Sequence, residues 1–221
     1  MARLIKKIKY TAKIQLLSGM HIGGTNIALS IGGPDKFVVR NPIDQRPYIP
    51  GSSLKGKMRS LLELALGEYV HIPHGGSIKF GASNSPETHS GKLFGTAAGE
   101  NAQPSRVIFR DAMMSPGQDE VLKNTDLYLT ESKTEVAIDR ITANANPRTN
   151  ERVPMGVTFD FEAVLNIFDN DEEDVLKANF ARAKALLEDD YIGGHGSRGY
   201  GHIKFIDWTE TEKTVEQYNE A

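Results

Sequence analysis

The sequence has no cysteine, so it cannot build a disulfide scaffold, a thiolate zinc site or a cysteine nucleophile. No apolar run comes near the roughly 20 residues that a bilayer-spanning helix needs, and no membrane partner is expected. The opening Met1-Ala2-Arg3-Leu4-Ile5-Lys6-Lys7 is charged without an apolar signal core behind it, which predicts a cytoplasmic chain. An overall excess of positive charge is lacking too: 26 Lys and Arg stand against 29 Asp and Glu, a net charge of −3. What is present is a chain of 221 residues, 39% hydrophobic and 25% charged. That length buries a sizeable core, and it fits two small domains or, as expected here, one elaborated domain over 1–221.

The near-neutral total conceals a segregation. Residues 1–67 hold eleven basic side chains and three acidic ones, a balance of +8, and the other 154 residues hold fifteen and twenty-six, a balance of −11. Such a division predicts a one-sided field that attracts a polyanion, although a chance surface fluctuation gives the same sums.

Periodicity supplies the elements. Ile8, Tyr10, Ala12, Ile14 and Leu16 alternate with Lys7, Lys9, Thr11, Lys13 and Gln15, a strand with an apolar inner face and a basic outer one. After Pro50-Gly51, Ser52 or Ser53 can cap a helix whose stripe is Leu54, Met58, Leu61, Leu62, Ala65 and Leu66, with Gly67 as its stop. Arg106 to Asp111 reads as a short strand, and Val157 to Ile167 alternates as a longer one. The acidic run Asp169 to Asp174 suits the head of a second helix carrying Leu176, Phe180, Ala183 and Leu187, and Gly199 to Phe205 leads into a last strand. The order β-α-β-β-α-β predicts an α+β, ferredoxin-like (RRM-like) core built from 4–17, 52–67, 106–111 and 157–208. Three long insertions, 18–50, 69–105 and 112–156, exceed that core and are expected to be functional or disordered. The second reads as the most mobile and the third as a projecting hairpin. The acidic tail 209–221 is expected to fray.

Four groups of residues carry chemistry. Pro50 to Arg59 sets the backbone N–H groups of a helix head beside Lys55, Lys57 and Arg59, a phosphate site by dipole and charge; the same pattern also fits a capped helix with a solvated basic face. Gly19-Met20-His21-Ile22-Gly23-Gly24 is a turn where glycine admits close backbone approach, and His21 can donate to a phosphate, stack on a base, or be satisfied locally. Gly193 to Gly201 packs five glycines around Arg198 and Tyr200, a backbone surface that suits a polyanion with Arg198 on phosphate. Asp35, an acid inside the basic third, is a proton-transfer group, an outer-sphere anchor for hydrated Mg²⁺, or a turn residue after Pro34. Asp111, Glu135 and Asp139 are further acidic candidates, although Glu135 and the pair Asp139-Arg140 also fit ion pairs within the arm. His71 and His74 lack a metal-site context, and no serine-hydrolase elbow is present.

Taken in order, His21 to Gly24, Pro50 to Arg59, Ile138-Asp139-Arg140-Ile141-Thr142-Ala143-Asn144-Ala145-Asn146-Pro147-Arg148 and Gly193 to Gly201 resemble the RAMP superfamily. Within it they are most similar to the repeated backbone subunits of type III-A CRISPR (Csm) interference complexes, from about Lys6 to Phe205. The resemblance implies a palm that polymerises along CRISPR RNA with copies of itself and other Csm subunits. It implies a thumb, here Thr134 to Arg152, that wedges into the guide–target duplex. It also implies cleavage of complementary target RNA with a divalent metal, Mg²⁺ or Mn²⁺, by an aspartate that aligns with Asp35. His21, Gly23, Gly24, Ser52, Ser53, Lys55, Lys57, Arg59, Arg140, Arg148 and Arg198 become RNA-binding positions. Pro34 before Asp35, and Asn41 where an aspartate is expected, are departures. The alternatives are a non-catalytic CRISPR RNA-binding scaffold and a monomeric guide-processing nuclease in which His21 matters for catalysis.

Overall fold

The computed structural model describes residues 2–24, 34–74, 77–96 and 102–219. Ile31-Gly32-Gly33, the residues before Pro34 by which Asp35 aligns with the aspartate of the RAMP resemblance, lie outside them. The strands are β1 Leu4–Leu16, β2 Tyr48–Ile49, β3 Val70–His74, β4 Ser77–Gly81, β5 Val107–Phe109, β6 Ala112–Met114, β7 Glu131–Ile138, β8 Ala145–Arg152, β9 Thr158–Phe168 and β10 Ile203–Thr214. The helices are α1 Gly51–Leu66, α2 His89–Phe94, α3 Asp119–Leu122, α4 Glu173–Glu188 and α5 Val215–Asn219. None among the described residues is long and apolar enough to cross a membrane.

The main sheet runs β10-β1-β9-β6-β2, and β5 also pairs with β9. β1 is antiparallel to both of its neighbours. Its alternation decides its placement: Ile8, Tyr10, Ala12, Ile14 and Leu16 are buried beneath helices, and Lys9 and Lys13 face outward. α1 and α4 pack against each other on the buried face, α4 through Leu176, Phe180, Ala183 and Leu187. In α1 the buried stripe is Leu54, Met58 and Leu62 together with Glu63, whereas Ala65 is exposed and Leu61 and Leu66 are half-buried. Gly67 closes that helix in the left-handed conformation, φ 68°, as glycine does after a last turn.

Several expectations are corrected. Neither Ser52 nor Ser53 caps α1; Pro50 holds the cap position, and the Gly51 N–H donates to Asp111 Oδ1 at 2.7 Å. The helix head therefore already faces a carboxylate of its own chain. The short strand expected over 106–111 is present as β5, Val107–Phe109, and ends where Gly51 approaches, ahead of β6: a Cβ on Gly51 would stand 2.9 Å from the Phe109 and Arg110 carbonyls. Asp171, from the run expected to lead α4, turns inward and is bonded to Arg106 at 2.8 and 3.0 Å, leaving Glu173 and Asp174 in the first turn. The second insertion forms the β3–β4 hairpin and α2, whose Leu93 and Phe94 join the core. Residues 209–214 are not a loose tail: they pair with Lys6 to Thr11 as the outer half of β10.

Candidate functional site

Segments far apart in sequence meet at the inner end of the β7–β8 hairpin. The Asp35 N–H donates to the Thr149 carbonyl at 2.8 Å, and the Asp35 Oδ2 accepts the Thr149 N–H at 2.9 Å. Lys36 continues the pairing, its carbonyl accepting the Glu151 N–H at 3.0 Å. The loop is thus clamped to β8, one Asp35 oxygen is fixed, and Oδ1 has no hydrogen-bond partner among the described residues.

Beneath this clamp lies Glu151, 2% exposed. Its Oε2 accepts the Val38 N–H at 2.8 Å, and its Oε1 accepts the Thr130 hydroxyl at 2.7 Å and the Arg40 guanidinium. A carboxylate buried this deeply is tolerable because both oxygens are paired. Sequence reasoning missed Glu151, since its partners Val38 and Arg40 lie 113 and 111 positions away.

His21 is placed differently from its expected role on phosphate or base. It is 4% exposed. Its Nδ1 lies 2.7 Å from the Glu151 carbonyl, and its own carbonyl accepts the Gly194 N–H at 2.8 Å. His21 therefore ties β8 to the glycine turn from inside. Gly24 lets the two arms of the first insertion approach, because a Cβ there would sit 2.8 Å from Val39 Cα, and Gly23 bridges to Val38.

The glycine turn supplies the third wall. His195 and Gly199 both take left-handed backbone around a short 3₁₀ turn, Gly196–Arg198. Arg198 Nη1 donates to Glu135 on β7 at 2.6 Å, and its Nη2 donates to His195 Nδ1. Burial first, then Arg198 and Lys36, hold His195 below the ordinary imidazole range, which suits a ring accepting from a guanidinium. Burial opposes ionisation of Glu135, and Tyr200, Arg198, His195 and Lys133 together outweigh it and hold its carboxyl below the usual carboxylate range. Tyr200, 1% exposed, is pushed up to about 12 by burial and by Glu135. Its hydroxyl faces that carboxylate with no bond of good geometry. Asp35, Glu135, Arg148, His195 and Arg198 line one cavity of about 890 Å³.

The α1 cations do not line this cavity. Arg59 donates to Glu63 at 2.8 Å, to the Gly95 carbonyl at 3.0 Å and to the Ser83 carbonyl at 2.6 Å, so the expected phosphate ligand is an internal strut. Lys57 lies 2.8 Å from Asp190 and 3.7 Å above the Tyr191 ring, against which Gly196 packs. Lys55 forms no ion pair among the described residues, and burial followed by Arg59 lowers its basicity. Ser52 is exposed and Ser53 half-buried. Arg140, at the hairpin tip, and Arg148 are exposed and form no ion pair among the described residues. Asp139 accepts the Ile141 and Thr142 N–H groups at 2.9 and 2.7 Å. It caps the turn; it does not pair with Arg140.

Among the described residues no group of three His, Cys, Asp or Glu could hold a metal ion. A divalent ion at Asp35 would share one carboxylate oxygen and take its remaining ligands from water and substrate, which hydrated Mg²⁺ accepts.

A profile described as RAMP superfamily matches residues 13–204. The chain is 42% identical over 203 residues to the "CRISPR system Cms endoribonuclease Csm3" of Enterococcus italicus, covering 92% of this chain and 91% of that one. It is 44% identical over 209 residues to the protein of the same name from Methanocaldococcus jannaschii, covering 93% and 81%. A crystal structure of a Csm3–Csm4 subcomplex in the type III-A CRISPR–Cas interference complex superimposes with a TM-score of 0.63 at 33% identity, covering 99% of this chain and 85% of that one.

Proposed function

The chain belongs to the RAMP superfamily, and from that premise we propose that it is a CRISPR RNA-binding filament subunit of a type III-A (Csm) effector complex and an endoribonuclease that cuts complementary target RNA. The set β1-α1-β5-β9-α4-β10, in sheet order β10-β1-β9-β5, is read as a ferredoxin-like palm with β7–β8 as its thumb, all within a single cytoplasmic domain. The partners are CRISPR RNA, target RNA, copies of this chain and other Csm subunits.

One observation carries the catalytic reading: Asp35 is fixed by two bonds to the foot of the hairpin, and Oδ1 is left without a partner among the described residues. In the same cavity Arg148 and Arg198 are suited to phosphate, so a kinked strand is held for in-line attack. The 2′-oxygen bonds to the adjacent phosphorus while the bond to the 5′-oxygen breaks, and Asp35 takes the 2′-hydroxyl proton. Water supplies the proton of the leaving 5′-hydroxyl. A divalent ion, when bound, supplies charge neutralisation at the phosphate, with Asp35 as its protein contact.

The test is Asp35→Ala in the assembled complex with a complementary RNA, with and without EDTA. Cutting is expected to fall by about 10²–10⁴-fold, with RNA affinity within about twofold of wild type. A 2′-deoxy nucleotide at the scissile position should block cutting, and EDTA should stop the wild type. Undiminished cutting by the variant would leave the non-catalytic scaffold as the reading of Asp35, and EDTA-resistant cutting would remove the metal.

A further inference from the structure

Among the described residues, the face of the sheet opposite α1 and α4 carries no covering element except α5 at one edge. Lys7 on β1 stands directly across from Lys213 on β10, a like-charge pair that costs stability in an antiparallel sheet unless an anion lies over it. Neither has a carboxylate partner among the described residues: Lys7 Nζ is bonded to Asn166 Oδ1 at 2.6 Å, and Lys213 Nζ sits 4.1 Å over the Tyr218 ring. One row further along, Lys9 and Arg110 share the single carboxylate Glu162, each at 3.7 Å, with their side chains 50% and 61% exposed. Glu212, at the edge of the groove, is committed to Lys6 at 2.9 Å and lies 3.6 Å from Lys177. The four cations surround a groove of about 750 Å³ whose floor is Ile108 and Val164 and whose rim is Tyr218, an exposed ring, 47% accessible.

We propose that this open sheet face is a second surface for single-stranded RNA, separate from the cavity at Asp35 and from α1. Cations two residues apart on one strand lie about 6.7 Å apart, a spacing that follows the phosphates of an extended chain. An apolar floor and an upright tyrosine meet the flat face of a base, the combination that binds single strands without reading their sequence. An acidic protein patch would satisfy the lysines but leave the ring and the floor unused.

The experiment uses the full chain and a fluorescein-labelled oligouridylate, with anisotropy followed as NaCl is raised. It is run in a Lys55→Gln/Arg148→Gln background so that the surfaces of the proposed function do not dominate. Adding Lys9→Gln, Arg110→Gln and Lys213→Gln should weaken binding about tenfold and make the slope of log Kobs against log [NaCl] shallower by about two. A 4-thiouridine oligonucleotide should photo-crosslink to the peptide that contains Tyr218. If the triple variant does not fold, Tyr218→Ala alone should abolish that crosslink and weaken binding at least about fivefold. An unchanged slope with no crosslink at Tyr218 overturns the proposal. So does a variant that keeps its RNA affinity but no longer joins other copies or Csm subunits, since the face would then be a protein interface. Loss of target cutting in the Asp35→Ala complex leaves this test untouched.

Discussion

At the scale of single residues, the same kind of side chain serves opposite ends on one helix. Lys55 and Arg59 are one turn apart on α1, and both were expected on phosphate. Arg59 instead spends its guanidinium on Glu63, Gly95 and Ser83, with Glu63 only 4% exposed. Removing one partner of a buried pair strands the other, a cost that commonly exceeds the worth of the pair itself. Arg59→Ala is therefore expected to cost about 3 kcal/mol in urea denaturation, and its RNA binding should fall only as the folded fraction falls. Lys55→Ala should leave stability within about 0.5 kcal/mol while weakening guide binding for every guide sequence alike. Equal stability of the two variants would mean that Arg59 is not the strut described. His21 shows the same inversion, because a motif position expected on RNA is a buried tie between β8 and the glycine turn.

At the scale of elements, the β7–β8 hairpin stands outside the main sheet, and an isolated two-stranded hairpin is marginal in water. Its foot is clamped by Asp35 and by the bond from Arg198 to Glu135, and its turn is closed by Asp139. Yet its shaft and tip expose Val136, Ile138 and Ile141, 51%, 64% and 95% accessible. Such side chains contribute little to this fold and are available to a partner. Replacing all three with serine is expected to shift stability by no more than about 0.5 kcal/mol and to lower target cutting about tenfold in the assembled complex. Loss of stability with cutting intact would make them a hidden part of the core. The hairpin was legible in the sequence as alternation, and α4 as spacings of four, three and four, because each pattern is local. The outer half of β10 was not: Thr209 to Thr214 has no apolar alternation, since that half faces solvent and takes its order from pairing with β1. The cavity was legible in part. Asp35, Arg148 and Arg198 were each singled out in the sequence, as members of separate motifs and not as one cavity, whereas Glu151 depends on partners more than a hundred positions away and left no local signal.

At the scale of the whole molecule, the segregated charge is largely consumed by folding. The basic first third closes onto the acidic remainder through Lys6 with Glu173 and Glu212, Arg40 with Glu151, Arg46 with Asp119 and Lys57 with Asp190. The imbalance in sequence is therefore in good part complementarity between the ends of the chain. It becomes an outward field where cations are left over, among them Lys55, Arg140 and Arg148 on the hairpin, and those of the open sheet face. The two ends also share backbone pairing, because β1 lies between β10 and β9 and its first half, Lys6 to Thr11, is bonded to residues 209–214. Truncation after Trp208 separates the two descriptions of this tail. A frayed terminus would be lost at no cost. A paired strand takes with it six cross-strand positions, the Lys6–Glu212 and Lys177–Glu210 ion pairs and the cover over one edge of β1. At roughly 1 kcal/mol for each net hydrogen bond, with exposed ion pairs adding little, the loss is about 3–5 kcal/mol. That is a large share of the roughly 5–15 kcal/mol that stabilises a domain. The truncated chain is expected to melt well below the full one or to fail to fold, as followed by circular dichroism. An unchanged melting temperature would return residues 209–221 to the status of a loose tail and remove the edge on which the open sheet face is built.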